Sequence, residues 1–306
     1  MILMYFSIKP WSFVVLVFVC QMCMLVMLFL MAELGSSEAQ KQTSRQGQQK
    51  LVILDVDPGI DDAIAMMMVL SQPAVRVLAV TCVRGNAREV LLDCKNALRV
   101  LNAAGRTDIP VYVGASLQLM GNDVYDYTHW NGRDSMGDAA DKYPPDYRLI
   151  NQAGEGNIGI SAEFNFWMDP EAAHVVLREY KCPMKVVPWE VCQEHGLEWD
   201  FFANWTAMPT RRARFIKAIS LNLSKWLRAQ GEPTYLSCDP LATAIVIDPG
   251  IVKNVDTVYA TVEVEGEYTR AQMVVDWWGF RRKTPNVDII RSLNMSRYKS
   301  LLMTAM

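Results

Sequence analysis

The stretch LVILDVDPGIDDA at 51–63 constrains this chain more than any other. An apolar run of strand length ends in a Pro-Gly turn, and a helix-like segment at 63–70 follows at once. Four carboxylates, Asp55, Asp57, Asp61 and Asp62, fall within eight positions. In an extended segment Asp55 and Asp57 share one side, while Asp61 and Asp62 sit in the first turn of the helix. Like charges this close raise one another's pKa and cost stability unless a cation joins them. Their oxygens are hard ligands, suited to Ca²⁺ or Mg²⁺ rather than zinc. An N-cap Asp with an acidic first turn accounts for one or two of these residues, not for four.

The rest of the chain supplies a frame for that turn. Residues 75–80 read as a buried strand, 89–104 as a helix stopped by Gly105, and 109–113 as another short strand. Strand and helix alternating in this rhythm predict an α/β fold, an open and mostly parallel Rossmann-like sheet with helices on both faces. Periodicity is lost over 114–150, where His129 and Trp130 lie, and loops this long are usually functional. Asp169-Pro170 opens a helix to about Tyr180, with Asp at the N-cap and Pro at the first helical position. A strand is expected at 184–189 and two helices over 199–228, broken near Pro209. The segment PTYLSCDPLATA at 233–244 repeats the opening device, a short extended piece ending in Asp-Pro before a helix. Residues 258–264 and 269–275 alternate around Glu265-Gly266-Glu267 and predict a C-terminal antiparallel hairpin, with a terminal helical segment after Val287.

The N-terminus is of different composition. From Trp11 to Ala32 the only clearly polar residues are Ser12 and Gln21, a run long enough to span a bilayer. Residues 1–34 therefore read as a signal peptide or signal anchor, 35–49 as a polar linker and 50–306 as one catalytic domain. The mature protein is expected to be secreted, or membrane-bound only if the run stays uncleaved. Three N-x-S/T sequons, at Asn204, Asn222 and Asn294, lend weak support. Beyond the run lie five cysteines, Cys82, Cys94, Cys182, Cys192 and Cys238, in the spacing of neither a disulfide framework nor a zinc site. At 306 residues, 51% hydrophobic and with a net charge of −3, the chain can bury a sizeable core and offers no nucleic-acid surface.

In open parallel sheets ligands bind at the carboxyl ends of the strands. Asp57 and Asp239 both stand where a strand gives way to a helix, so the fold brings two distant carboxylates to one rim. A second polar set, Asn157, Glu163 and Asn165, sits among Phe164, Phe166 and Trp167. Such groups grip polyols, and aromatic neighbours suit a sugar or base face. A polar loop capping the next helix explains the same residues equally well.

Four motifs in order then carry a resemblance: D-x-D-P-G-x-D-D-A at 55–63, Gly85-Asn86, G-N-x4-A-E-F-N with D-P-E-A-A behind it, and the late D-P-L-A. The chain resembles the inosine-uridine nucleoside hydrolase family, and Asp276-Trp277 and the C-D-P-L form look most like its animal members. The resemblance implies a nucleoside substrate, hydrolysed at its N-glycosidic bond to ribose and free base, and a homo-oligomer. It further implies Ca²⁺ held by Asp57, Asp62, Asp239 and a backbone carbonyl of the middle loop. Asp57 would also be the general base, and Asp61, Asn86, Asn157, Glu163 and Asn165 would hold the ribose. Some members place a His just before the late Asp to protonate the departing base. Here that position is Cys238, a poorer acid for the task, and stacking on Trp130, Trp167, Trp277 or Trp278 is a substitute. Two other readings fit parts of the chain. A D-x-D metal-dependent phosphatase of the haloacid-dehalogenase type leaves A-E-F-N without a role, and a secreted nucleoside-binding protein with little turnover would bear Cys238 as its mark.

Overall fold

The strand before the acidic turn carries the apolar run Leu51–Leu54 because both of its faces are covered. The computed structural model describes residues 2–8, 11–17, 49–87, 89–116, 119, 131–139, 142, 163–180, 182–267 and 269–306. Its main sheet contains β1 (Ile2–Ile8), β2 (Trp11–Val17), β3 (Lys50–Val56), β4 (Val75–Cys82), β5 (Val111–Val113) and β6 (Met184–Val186). Two-stranded pieces come from β7 (Leu197–Glu198) with β8 (Thr234–Tyr235), and from β10 (Ala260–Val262) with β11 (Met273–Val275). The remaining strands, β9 (Val252–Val258) and β12 (Val287–Leu293), complete the main sheet in the order β5-β4-β3-β2-β1-β6-β12-β9. Along β3 the side chains alternate: Val52 and Leu54 join one core and Ile53 the other.

The helices are α1 (Ile60–Leu70), α2 (Val90–Ala104), α3 (Phe164–Met168), α4 (Pro170–Glu179), α5 (Trp189–Glu194), α6 (Trp199–Thr206), α7 (Arg211–Ile219), α8 (Leu221–Ala229), α9 (Asp239–Ile247) and α10 (Met295–Ala305). Helices α1, α2 and α9 pack into the larger core, which runs from Val52 to Ala305. Helix α4 and the β10–β11 hairpin cover the other face, around Ile53, Ala79 and Ile289. β2, β3, β4 and β5 run parallel, and β6 runs parallel to β12. β1, antiparallel to both β2 and β6, links these halves in the same direction, and β9 closes the edge antiparallel to β12. The parallel α/β sheet with helices on both faces and a C-terminal antiparallel hairpin is thus the observed fold.

Local signals hold where they have a mechanism. Gly105 ends α2 at φ +73°, a left-handed turn that favours glycine. The carboxylate of Asp169 accepts from the N–H of Ala172 at 2.9 Å, so the Asp-Pro start of α4 is a true cap. Two expectations need correction. The segment 199–229 holds three helices rather than two, because a second break falls at Ser220. There Gly137 lies so close to the Ile219 carbonyl that an added Cβ would meet it, and Asn222 Nδ2 donates to the Gly137 carbonyl at 2.8 Å. The end of the chain is not simply helical after Val287: β12 pairs with β6 and β9 first, and α10 starts at Met295. Of the apolar N-terminal run, 11–17 is strand β2 and 18–32 lies outside the described residues. No helix among the described residues is long and apolar enough to cross a membrane.

Candidate active site

β3 ends at Val56 and β4 at Cys82, so the turns that follow them, carrying Asp57 and Asn86, meet at the same rim of the sheet. Backbone contact between these turns is close. A Cβ on Gly85 would lie 1.9 Å from Oδ2 of Asp57, and one on Gly59 would lie 2.7 Å from Nδ2 of Asn86. Gly85 leaves no room for a side chain against Asp57, and at Gly59 the amides of Asn86 and Asn131 would have to move.

Asn86 is the clamp of this rim. Its Nδ2 donates to the Asp57 carbonyl at 2.7 Å and to Asp57 Oδ2 at 3.1 Å, and leans on Asp62 Oδ2 at 3.4 Å. Its own N–H reaches Asp57 Oδ2 at 3.1 Å. Asn86 is held in turn by residues from a distant loop: Asn131 Nδ2 donates to its Oδ1 at 2.7 Å, and Ser135 Oγ to its carbonyl at 2.6 Å. Asn131 also accepts the N–H of Ile60, and Asn96 ties the Pro58 carbonyl to that of Asp134. Sequence reasoning missed Asn96, Asn131 and Ser135. The only signal for the last two was the length of the aperiodic middle loop.

At the start of α1, Asp61 and Asp62 face Asp239 at the start of α9, and one oxygen from each falls within 4.8 Å of the others. Among the described residues this is the group able to hold a metal ion. Asp62 and Asp239 are two of the three carboxylates assigned to the metal by resemblance. The third member of the close trio is Asp61, assigned to ribose, whereas Asp57 stands beside it through Asn86. One oxygen of Asp61 lies within 4.8 Å of one of Asp239, an approach that two carboxyl groups hold favourably only with a proton or a cation between them. Oδ1 of Asp62 is buried and accepts no hydrogen bond. Such an oxygen in an all-carboxylate setting fits a hard divalent cation.

The electrostatics agree. Burial, then the charges of Asp62, Asp93 and Asp61, push the Asp57 carboxyl well up from its ordinary range. Burial followed by Asp61 does the same to Asp62, and burial followed by Asp61, Asp62 and Asp57 to Asp239. Asp93 on α2 is a further fully buried carboxyl of this set, raised by burial and by Cys94 and Asp62, and it too escaped sequence reasoning.

Other candidates are more dispersed. Glu163 caps α3, accepting from the N–H groups of Asn165 at 3.0 Å and Phe166 at 3.3 Å, while Asn165 Nδ2 donates to its other oxygen at 3.2 Å. The capping alternative is therefore realised. Asn157, His129 and Trp130 lie outside the described residues. Cys238 is half-buried at the entry to α9, its thiol against that of Cys192. Trp278 is 83% exposed on the loop entering β12, and no described contact links it to the carboxylates.

The family model for inosine-uridine preferring nucleoside hydrolases matches residues 52–153 and 150–300. The chain belongs to this family. A nucleoside hydrolase of that description from Leishmania major is 26% identical over 317 positions, covering 83% of this chain and 96% of its own length. A pyrimidine-specific ribonucleoside hydrolase of Enterobacter is 25% identical, with 82% and 96% covered. The solved structure of an inosine-guanosine nucleoside hydrolase superposes with a TM-score of 0.75 at 26% identity, covering 83% of this chain and 98% of that one. The chain is an N-glycosyl hydrolase of ribonucleosides, of a metal-dependent family. Neither the phosphatase reading nor the binding-protein reading is favoured. The two family matches meet at 150–153, which lies outside the described residues.

Proposed function

We propose that Asp62 and Asp239, with Asp57 or Asp61 as third carboxylate, hold Ca²⁺, and that Asp57 is the general base of nucleoside hydrolysis. The observation that carries this reading is the trio of carboxylates within 4.8 Å, one of whose oxygens is buried without a donor. Bound there, a divalent cation would acidify water and offset the mutual repulsion of the carboxylates. Asp57 accepts the proton of the attacking water, a task suited to a carboxylate whose basicity is raised by burial and by neighbouring carboxylates. Asn86 fixes the orientation of that carboxylate through its two donors. Cleavage passes through an oxocarbenium-like sugar, as in O-glycoside hydrolysis, and the negative rim stabilises its charge. Asp61, Asn86, Asn157, Glu163 and Asn165 grip the ribose hydroxyls, and the free base leaves towards Cys238.

Equilibrium dialysis with Ca²⁺ tests the metal assignment without reference to turnover. The wild type is expected to take up one ion per chain, and the Asp62→Asn/Asp239→Asn double variant none. Uptake by the double variant equal to wild type would place the ion elsewhere.

A further inference from the structure

The chain leaves the hairpin at Asp276 and enters β12 after Asn286, and every residue from 277 to 285 is exposed. Trp278 and Phe280 are 83% and 82% exposed, and Trp277 is 50% exposed. Behind them follow Arg281, Arg282 and Lys283. The loop is built, not slack. The Asp276 carboxylate accepts the N–H groups of Phe280 at 2.8 Å and Arg281 at 2.7 Å. Gly279 turns at φ +68° and Arg282 at φ +50°, and the N–H of Arg282 donates to the Gly279 carbonyl at 3.0 Å. Both ends are fastened, Asp276 N–H to the Tyr259 carbonyl at 2.9 Å and Asn286 N–H to the Val258 carbonyl at 3.0 Å. The result is a fixed protrusion with an aromatic tip and a cationic flank.

Its position separates it from catalysis. β12 runs parallel to β6, and through β1 and β2 shares the direction of β3. The loop therefore enters at the end of the sheet opposite the one that carries Asp57 and Asn86. Around the tip the exposed apolar surface is sparse, and on β11 it is Val274 alone. The neighbouring edge strand β9 exposes Lys253, Asn254 and Thr257 together with a single apolar residue, Val255. A protein partner of ordinary size needs an extended face of about 800 Å², which a protrusion with a polar surround does not offer. Aromatic rings beside cations are instead the chemistry of the lipid headgroup layer, where tryptophan is enriched and Lys or Arg is drawn by anionic lipid.

We propose that residues 277–283 dock this protein on an anionic phospholipid surface, with Trp278 and Phe280 entering the headgroup layer and Arg281, Arg282 and Lys283 meeting the lipid charges.

Sedimentation of the full chain with phosphatidylcholine vesicles, with and without ~30 mol% phosphatidylserine, tests this. Binding is expected with the anionic vesicles and is expected to fall as salt rises from ~0.05 to ~0.5 M, because screening shortens the reach of the cations. Trp278→Ala/Phe280→Ala should lower partitioning at least ~10-fold, and Arg281→Ser/Arg282→Ser/Lys283→Ser ~100-fold. All variants keep the apolar N-terminal run, so the differences report the loop. Equal partitioning of wild type and variants would assign lipid binding to that run and overturn the proposal, as would no binding to anionic vesicles. Dimerisation that depends on Trp278 and Phe280 in the absence of lipid, by sedimentation velocity, would give the loop to a second copy and equally overturn it. Should a variant unfold, quenching of Trp278 by brominated lipid, taken as wild type minus Trp278→Phe, decides the matter. Quenching is expected, and its absence contradicts the proposal.

Discussion

At Asp57 the proposed base and the residue that holds it are separate, so each can be removed alone. Asp57→Asn keeps the shape but cannot accept a proton, and turnover should fall ~10²-fold or more while the thermal unfolding profile stays cooperative. A variant retaining a tenth of wild-type rate would move the base elsewhere. Asn86→Ala leaves the acid in place and removes its side-chain donor Nδ2, while the backbone N–H to Oδ2 stays. Loss of a residue that orients metal ligands costs 10–100-fold in affinity as a rule, so the variant should bind Ca²⁺ ~10–100-fold more weakly in the dialysis measurement; unchanged affinity would reduce Asn86 to a bystander. At Cys238 the neighbouring Cys192 thiol, burial, and then Asp61 and Asp239 push the thiol well up from its ordinary range, which makes it a weak proton donor. Cys238→Ser is therefore expected to slow inosine and p-nitrophenyl riboside together and modestly, since the second needs no leaving-group acid. A ~100-fold loss confined to inosine, about 2.7 kcal/mol, would show that Cys238 is the acid.

At the scale of elements, the apolar N-terminal run meets two different expectations. Its composition is that of a leader, yet 2–8 and 11–17 pair with one another and stand between β3 and β6. Without them both of those strands present unpaired N–H and C=O groups along one edge. A chain beginning at Gly35 should thus unfold at a lower temperature than the full chain. Equal melting temperatures for the two chains would mean that the sheet does not depend on β1 and β2. Elsewhere, what was legible depended on mechanism. The β3 run, the Asp169-Pro170 cap and the Gly105 stop are local devices, and each stands where the sequence puts it. The Asp62–Asp239 pairing was also legible, because strand ends in a parallel sheet converge on one rim. The Asn131–Asn86 clamp was not, since it joins residues 45 apart through a loop without periodicity. The break at Ser220 was hidden for the same reason: Gly137, which packs on the Ile219 carbonyl there, is far away in sequence.

For the whole molecule, the carboxylates at the rim tie stability to pH and to metal. In the ion-free protein Asp57, Asp62 and Asp239 are all raised above their unfolded values. The folded state then holds more protons than the unfolded one, so these groups favour folding at low pH, and their contribution is lost as pH rises from about 4. Chelated protein should accordingly melt at a lower temperature at pH 8 than at pH 6, and Ca²⁺ should raise the melting temperature more at pH 8 than at pH 6. A melting temperature independent of both would mean that the rim does not bear the repulsion argued for it. The most direct measurement is release of free base from inosine by the full chain, first as purified, then after EDTA, then after Ca²⁺ is returned. Base should be released, stop with the chelator and resume with the ion. Release that persists undiminished in EDTA, or no release from any ribonucleoside under a Ca²⁺ load that the chain demonstrably binds, would contradict a metal-dependent nucleoside hydrolase built on Asp57, Asp62 and Asp239.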